Sequence, residues 1–260
     1  MDSLNRKHPL DYQECGVAEV SADLRIIGGR RAAKDSWPWQ VVILNRFREP
    51  FCGGVLLSPQ WALTAAHCVR RRLWIRAGEH DLSEQEGTEQ EQKVVHSFVH
   101  PGYDSSTVEF DLALLRLRSP LTIDRHVRPA CLPEDGDELP PYARATILGW
   151  GKRRNEASFG TDTLHQAEVP VIPLDECRLS YDDLFISENM ICAGFDVGRV
   201  DSCAGDSGGP LLHKRDDGAW TIYGVTSFGD GCGQEGKFGV YTSVAKCIEW
   251  IRHIMQIQLL

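Results

Sequence analysis

The sequence predicts an all-β fold, two packed β-barrels followed by a C-terminal α-helix. Short runs of β-forming residues recur along the chain, separated by turn residues. A Pro-rich, acidic stretch, RPACLPEDGDELPPYA (128–143), divides these runs into two similar series. The last segment changes period: Val244, Ile248, Ile251 and Met255 fall at spacings of four, three and four, one face of a helix.

Taken in order, residues 1–25 are polar and read as a flexible arm. The first series holds WQVVIL (39–44), VLL (55–57), LWIRAG (73–78), KVVHSFVH (93–100) and LALLRL (112–117). The second holds TILGWG (146–151), HQAEVPVI (165–172), GPLLHK (209–214), WTIYGVTSFG (220–229) and FGVYTSV (238–244). Cys247 and Ile254 flank the terminal stripe, so that helix is expected to dock its apolar side on the body. The expected division is an arm over 1–25, a barrel over about 26–130, the linker over about 128–143, a second barrel over about 144–243 and a helix over about 244–258.

The chain has 260 residues, 42% of them apolar, enough for a substantial core. Its formal net charge of −9 argues against a nucleic-acid surface and against a polybasic membrane anchor. No apolar run approaches the roughly 18 residues of a transmembrane candidate. The N-terminal MDSLNRKHPLDYQECG has no apolar segment of the secretory type. Nine cysteines nevertheless fit an oxidising, extracellular compartment, and none falls in a C-x-x-C motif. Both facts are met if the export signal is absent from this chain.

DSCAGDSGGP (201–210) sets one serine among glycines and two aspartates. A serine hydroxyl is a poor nucleophile until a base takes its proton. The glycines let the backbone turn sharply, and the amides of Gly205 and Ser207 could then converge on a developing oxyanion. WALTAAHC (61–68) places His67 after an apolar run that ends in small residues, a candidate base. FDLALLRL (110–117) places Asp111 at the head of an apolar strand. A carboxylate there needs a partner, and an imidazole N–H is suitable.

With these segments the chain resembles the trypsin-like serine proteases of the chymotrypsin fold. The resemblance runs through RIIGG (25–29), WPWQV (37–41), CGGVLLSPQWALTAAHC (52–68), DLALLRL (111–117), RPACLP (128–133), GWG (149–151), MICAG (190–194), DSCAGDSGGP and GVYTSV (239–244). It implies two packed antiparallel six-stranded barrels. It makes Ser207 the nucleophile, His67 the base, Asp111 its orienting partner, and the Gly205 and Ser207 amides the oxyanion hole. Asp201 would floor a pocket for Arg or Lys, with Ser202 beside it and Gly229 and Gly239 as open walls. Ser227, Phe228 and Gly229 would pair with the substrate backbone. Phe228 stands where many members carry Trp.

The resemblance further implies a zymogen. Cleavage after Arg25 would free the Ile26 amine to pair with Asp206. Implied partners are protein substrates cut after Arg or Lys, protein protease inhibitors and an activating protease. Eight cysteines alone permit 105 pairings. The resemblance selects Cys15–Cys131, Cys52–Cys68, Cys177–Cys192 and Cys203–Cys232, and leaves Cys247 as a buried thiol. GEHDLSEQEGTEQ (78–90) resembles the family's calcium loop, with Glu79 and Glu89 as carboxylate ligands and the Asp81 and Glu84 carbonyls beside them. Two other classes compete with the protease: a binding module on the same scaffold without catalysis, and a structural β protein. The intact His67, Asp111, Ser207, Asp206 and Arg25 favour the enzyme.

Overall fold

A computed structural model describes residues 14–20, 29–151, 161–181, 184–196, 206–229 and 235–257. Strand β1 (Arg30–Arg31) comes first. Strands β2 (Gln40–Leu44), β3 (Pro50–Ser58), β4 (Trp61–Thr64), β5 (Trp74–Ala77), β6 (Gln90–Val99) and β7 (Ala113–Leu117) follow. These last six close an antiparallel barrel in the order β2-β3-β4-β7-β6-β5. Its strands are built from β-branched and aliphatic residues, and all five residues of β2 and all four of β4 are buried.

The second unit begins with β8 (Arg144–Gly149) and β9 (His165–Ile172), then a short helix α1 (Leu174–Leu179). Strands β10 (Met190–Ala193), β11 (Pro210–Lys214), β12 (Trp220–Phe228) and β13 (Gly239–Ser243) complete it. They run in the order β9-β10-β13-β12-β11-β8, and β8 pairs back with β9 to close the ring. The fold is therefore two six-stranded antiparallel barrels of the chymotrypsin type. The first strand of the chain breaks sequence order: β1 pairs with β9, Arg30 opposite Gln166, and so belongs to the second barrel.

After a 3-10 turn over Ala245–Cys247, helix α2 (Ile248–Ile257) ends the described chain. The stripe of Val244, Ile248, Ile251 and Met255 is buried in the same apolar cluster as Leu112 and Leu114 of the first barrel. Trp250 meets His100 edge-on at 4.8 Å. Cys247 is a buried free thiol, and burial pushes its pKa up to about 12.

Two segments are held more firmly than their composition suggests. The described part of the arm, 14–20, is docked. Cys15 is bonded to Cys131, the Gly16 N–H donates to the Pro129 carbonyl at 2.8 Å, and the Trp220 N–H donates to Gly16 O at 2.9 Å. Gly16 sits at φ +72°, and a Cβ there would lie 2.6 Å from Trp220 O, so only glycine allows this approach. The acidic linker is likewise pinned. Cys131 exchanges backbone hydrogen bonds with Trp220 and Ile222, and the Tyr223 hydroxyl donates to the Asp137 carboxylate at 2.7 Å. Disulfides Cys52–Cys68 and Cys177–Cys192 also form. Cys203 and Cys232 lie outside the described residues. No helix among the described residues is long and apolar enough to cross a membrane.

Candidate active site

The register of two strands brings His67 and Asp111 together. Antiparallel β4 and β7 place Thr64 opposite Ala113. His67 lies three residues beyond Thr64, and Asp111 two residues before Ala113, so both project from the same end of the pair. The Ala66–Cys68 turn and the Cys52–Cys68 bridge to β3 fix the histidine backbone.

The Asp111 side chain is fully buried. Its Oδ1 accepts the backbone N–H of His67 at 2.9 Å, and its Oδ2 contacts His67 Nδ1 at 2.7 Å. The Ser227 hydroxyl donates to the same Oδ2 at 2.5 Å, and Thr242 Oγ1 donates to the Asp111 carbonyl at 3.1 Å. Ser227 and Thr242 stand on β12 and β13, so the second barrel helps hold a carboxylate of the first. A carboxylate accepts and does not donate, so Nδ1 carries the proton. In the neutral imidazole the lone pair then sits on Nε2, across the ring from Asp111.

Ser207 sits in the turn before β11, clamped from both barrels. Its carbonyl accepts the Gly53 N–H of β3 at 2.8 Å, and the sulfur of Cys68 lies 3.7 Å from that oxygen. The next residue, Gly208, donates its N–H to Thr226 O of β12 at 2.8 Å. Gly208 has φ +80°, and a Cβ there would lie 2.2 Å from Thr64 Oγ1 and 2.6 Å from Gly53 O. The turn thus presses Gly208 against Thr64, on the strand that leads to His67, which no side chain at 208 would permit.

Asp206 points the other way. Its carboxylate accepts the Gly151 N–H at 2.8 Å. A Cβ on Gly149 would lie 1.7 Å from its Oδ1, and one on Gly151 2.4 Å from its Oδ2. The GWG motif makes the room that this carboxylate occupies.

Of the other expected site residues, Phe228 is half-buried and meets Tyr181 edge-on at 6.5 Å, and Gly229 follows it at the surface. Gly239 pairs with Ala193 between β13 and β10. Arg25, Ile26, Asp201, Ser202 and Gly205 lie outside the described residues. Sequence reasoning assigned Ser227 to substrate pairing and missed its hydroxyl on Asp111. It missed Thr242 altogether. Neither has a local signal, since Ser227 is 116 residues from its partner.

The acidic loop gathers three carboxylates. Oxygens of Glu79, Glu86 and Glu89 lie within 4.8 Å of one another. Glu79 is buried and bonded to Arg76 at 2.9 Å; burial outweighs that arginine and raises its pKa. Burial acts in the same sense on Glu89, yet the N–H groups of Glu86 and Gly87, at 2.6 and 2.8 Å, hold its carboxyl below the usual range. Glu86 accepts the Asp81 N–H and pairs with Lys34 at 2.9 Å. Glu86 was not among the expected ligands. Of those that were, Asp81 turns its carboxylate to Ser83, and its carbonyl accepts the Glu84 N–H at 3.1 Å.

The family model for Trypsin matches residues 26–251. The chain belongs to the trypsin family of serine proteases. It is 43% identical over 244 residues to transmembrane protease serine 9 of Rattus norvegicus, covering 92% of this chain and 22% of that protein. It is 40% identical over 239 residues to vitamin K-dependent protein C of Oryctolagus cuniculus, covering 88% of this chain and 52% of that protein. Against the atrial natriuretic peptide-converting enzyme of Mus musculus it is 37% identical over 254 residues, covering 95% of this chain and 22% of that protein. This trypsin-family chain thus spans between about a sixth and about half of the relatives it matches.

Proposed function

We propose that this protease is a secreted endopeptidase that cleaves after Arg or Lys and becomes active when Arg25–Ile26 is cut. The observation that carries the catalytic part is the buried Asp111, bonded to His67 twice and to Ser227 once. In this reading His67 Nε2 takes the Ser207 proton as Oγ attacks the scissile carbonyl. The Gly205 and Ser207 amides receive the oxyanion. Nε2 then gives its proton to the leaving amine, and water repeats the cycle on the acyl-serine.

Specificity rests on Asp201, a carboxylate matching the floor of the family's primary pocket, with Ser202 beside it and Gly229 and Gly239 leaving room for a long side chain. Backbone groups of Ser227, Phe228 and Gly229 pair with the substrate. The cleaved Ile26 amine pairs with Asp206 and orders this region. Protein inhibitors would occupy the same cleft, and a trypsin-like protease would make the activating cut. The three disulfides among the described residues support an extracellular setting.

The acidic loop fits a calcium ion. Its donors are all oxygens, the set a hard cation takes, and Glu86 joins Glu79 and Glu89, with the Asp81 and Glu84 carbonyls completing the site. The fit is partial, because Arg76 and Lys34 already neutralise two of the carboxylates.

The test is hydrolysis of a panel of peptide anilides ending in Arg, Lys, Phe or Leu, before and after cleavage at Arg25. Arg and Lys should dominate, and only after cleavage. Ser207→Ala should lose several orders of magnitude in kcat, and Asp201→Ser should lose the Arg and Lys preference. A wild-type chain, cut at Arg25, that hydrolyses none of the panel would overturn the proposal.

A further inference from the structure

A cavity of about 220 Å³ lies where the acidic linker meets the second barrel. Leu139 of the linker, Val171 of β9, Leu174 of α1 and Met190 of β10 give it apolar walls. Asp137, Glu138, Glu188 and Lys246 line it as well, three carboxylates and one ammonium. It is separate from the catalytic residues and from the substrate pocket proposed above. Side chains alternate along β13: Thr242 donates to the Asp111 carbonyl, and its neighbour Ser243 lines the cavity. Met190 pairs with Thr242 and Ala193 with Gly239, so the cavity and Gly239 sit at opposite ends of the β10–β13 pair.

Its acidic side is built from fixed groups. Asp137 Oδ2 accepts the hydroxyl of the buried Tyr223 at 2.7 Å. Burial, and after it Asp137, raises the Tyr223 pKa, so the phenol stays a donor. Glu188 is held at 2.7 Å by Arg178, which does not line the cavity. At the mouth Lys246 Nζ reaches Glu138 at 2.5 Å. Glu138, and at longer range Glu188, raise the Lys246 pKa, so its ammonium feels both carboxylates. The Lys246–Glu138 pair is exposed, a contact that water opens at little cost.

The chain itself thus sets an ammonium on an aliphatic stem at this mouth. We infer that the cavity binds a primary amine carried on an apolar stem, in place of Lys246. The stem lies against Leu139, Val171, Leu174 and Met190, and the ammonium takes Glu138 and Glu188. An anion would meet three carboxylates, and an uncharged apolar molecule would desolvate them without giving them a partner. The bound amine ties the linker to β9, β10 and β13. A free amine and a lysine on a partner protein's surface offer this same chemistry.

The experiment uses the full chain carrying Asp201→Ser, so that the proposed pocket for Arg and Lys lacks its carboxylate. It is titrated with n-hexylamine, n-hexanol and hexanoate by calorimetry. Hexylamine should bind most tightly and hexanoate least. Glu138→Gln and Glu188→Gln should each weaken hexylamine by about two- to fivefold, the size of an exposed ion pair. Lys246→Ala should tighten it by about the same factor, because the competing ammonium is gone. All three positions are exposed, so the fold should tolerate these changes. Raising salt from about 0.01 to about 0.15 M should weaken hexylamine more than hexanol, as the screening length falls from about 30 to about 8 Å. A second arm uses spermidine and the peptide acetyl-Ala-Lys-Ala-amide. Peptide binding as strong as that of hexylamine assigns the site to a partner's lysine, binding of free amines alone assigns it to a small molecule, and either supports the inference. No hexylamine binding, or equal affinity for hexylamine and hexanol, would overturn it. So would hexylamine binding that Lys246→Ala weakens, or that both glutamine substitutions leave unchanged. No step depends on hydrolysis, so failure of the protease reading leaves this result standing.

Discussion

Gly149 and Gly151 flank Trp150 where the Asp206 carboxylate arrives, and the space is filled. With a Cβ on residue 149 only 1.7 Å from Oδ1, Gly149→Ala must expel that carboxylate. A chain so changed should be cut at Arg25 as usual yet titrate few active sites with a serine-directed inhibitor; full titration would refute the role given to Asp206. Ser227→Ala removes an O–H donor from a buried carboxylate, a bond to a charged group of about 1.5–3 kcal/mol. kcat/KM should fall by about ten- to a hundredfold, and an unchanged value would show that Asp111 does not depend on it. The three residues proposed for catalysis were legible because each sits in a distinctive short motif. Ser227 and Thr242 were not, because they reach Asp111 only once two barrels have packed.

At the scale of elements, β6 and α2 meet through one histidine. His100 follows β6, stacks on Phe110 at 4.5 Å, abuts Trp250 of α2, and accepts the Gly102 N–H on Nδ1 at 3.2 Å. Burial lowers its pKa, as it does for His80. The unfolded chain therefore takes up these protons first, so stability holds above about pH 6.5 and is lost as pH falls below it. Urea midpoints should drop between pH 7.5 and pH 5, and by less in His100→Phe; parallel pH dependence in both chains would exclude His100 as a source. Helix α2 was legible from its apolar period. Helix α1 was not, since six residues are too few to display one. Strand β4 was hidden inside a continuous apolar run, which periodicity alone does not assign.

At the scale of the molecule, the acidic loop gathers three carboxylates on the first barrel. If calcium occupies the loop, 1 mM Ca²⁺ should raise the melting temperature and EDTA reverse it, by the mass action of a ligand that binds only the folded chain. A melting temperature indifferent to both would remove calcium from the account. The two barrels were legible as two series of strands around a linker. The pinning of that linker and the placement of β1 were not, because each depends on pairings across large sequence distances.

The crossing of β1 and α2 has a consequence for how the molecule comes apart. The strand that precedes the first barrel closes onto the second, and Trp250 of the helix that follows the second meets His100 of the first. Each half therefore carries a piece of its neighbour, and contacts of large sequence separation dominate, a topology that folds slowly. Residues 32–143 made alone should stay unfolded, with a flat near-ultraviolet spectrum, and regain structure only when the other half is supplied. An independently folded fragment would disprove this. The intact chain should unfold in one step, and its persistence among proteases would then be set by the rate of that step, a lifetime more than an equilibrium.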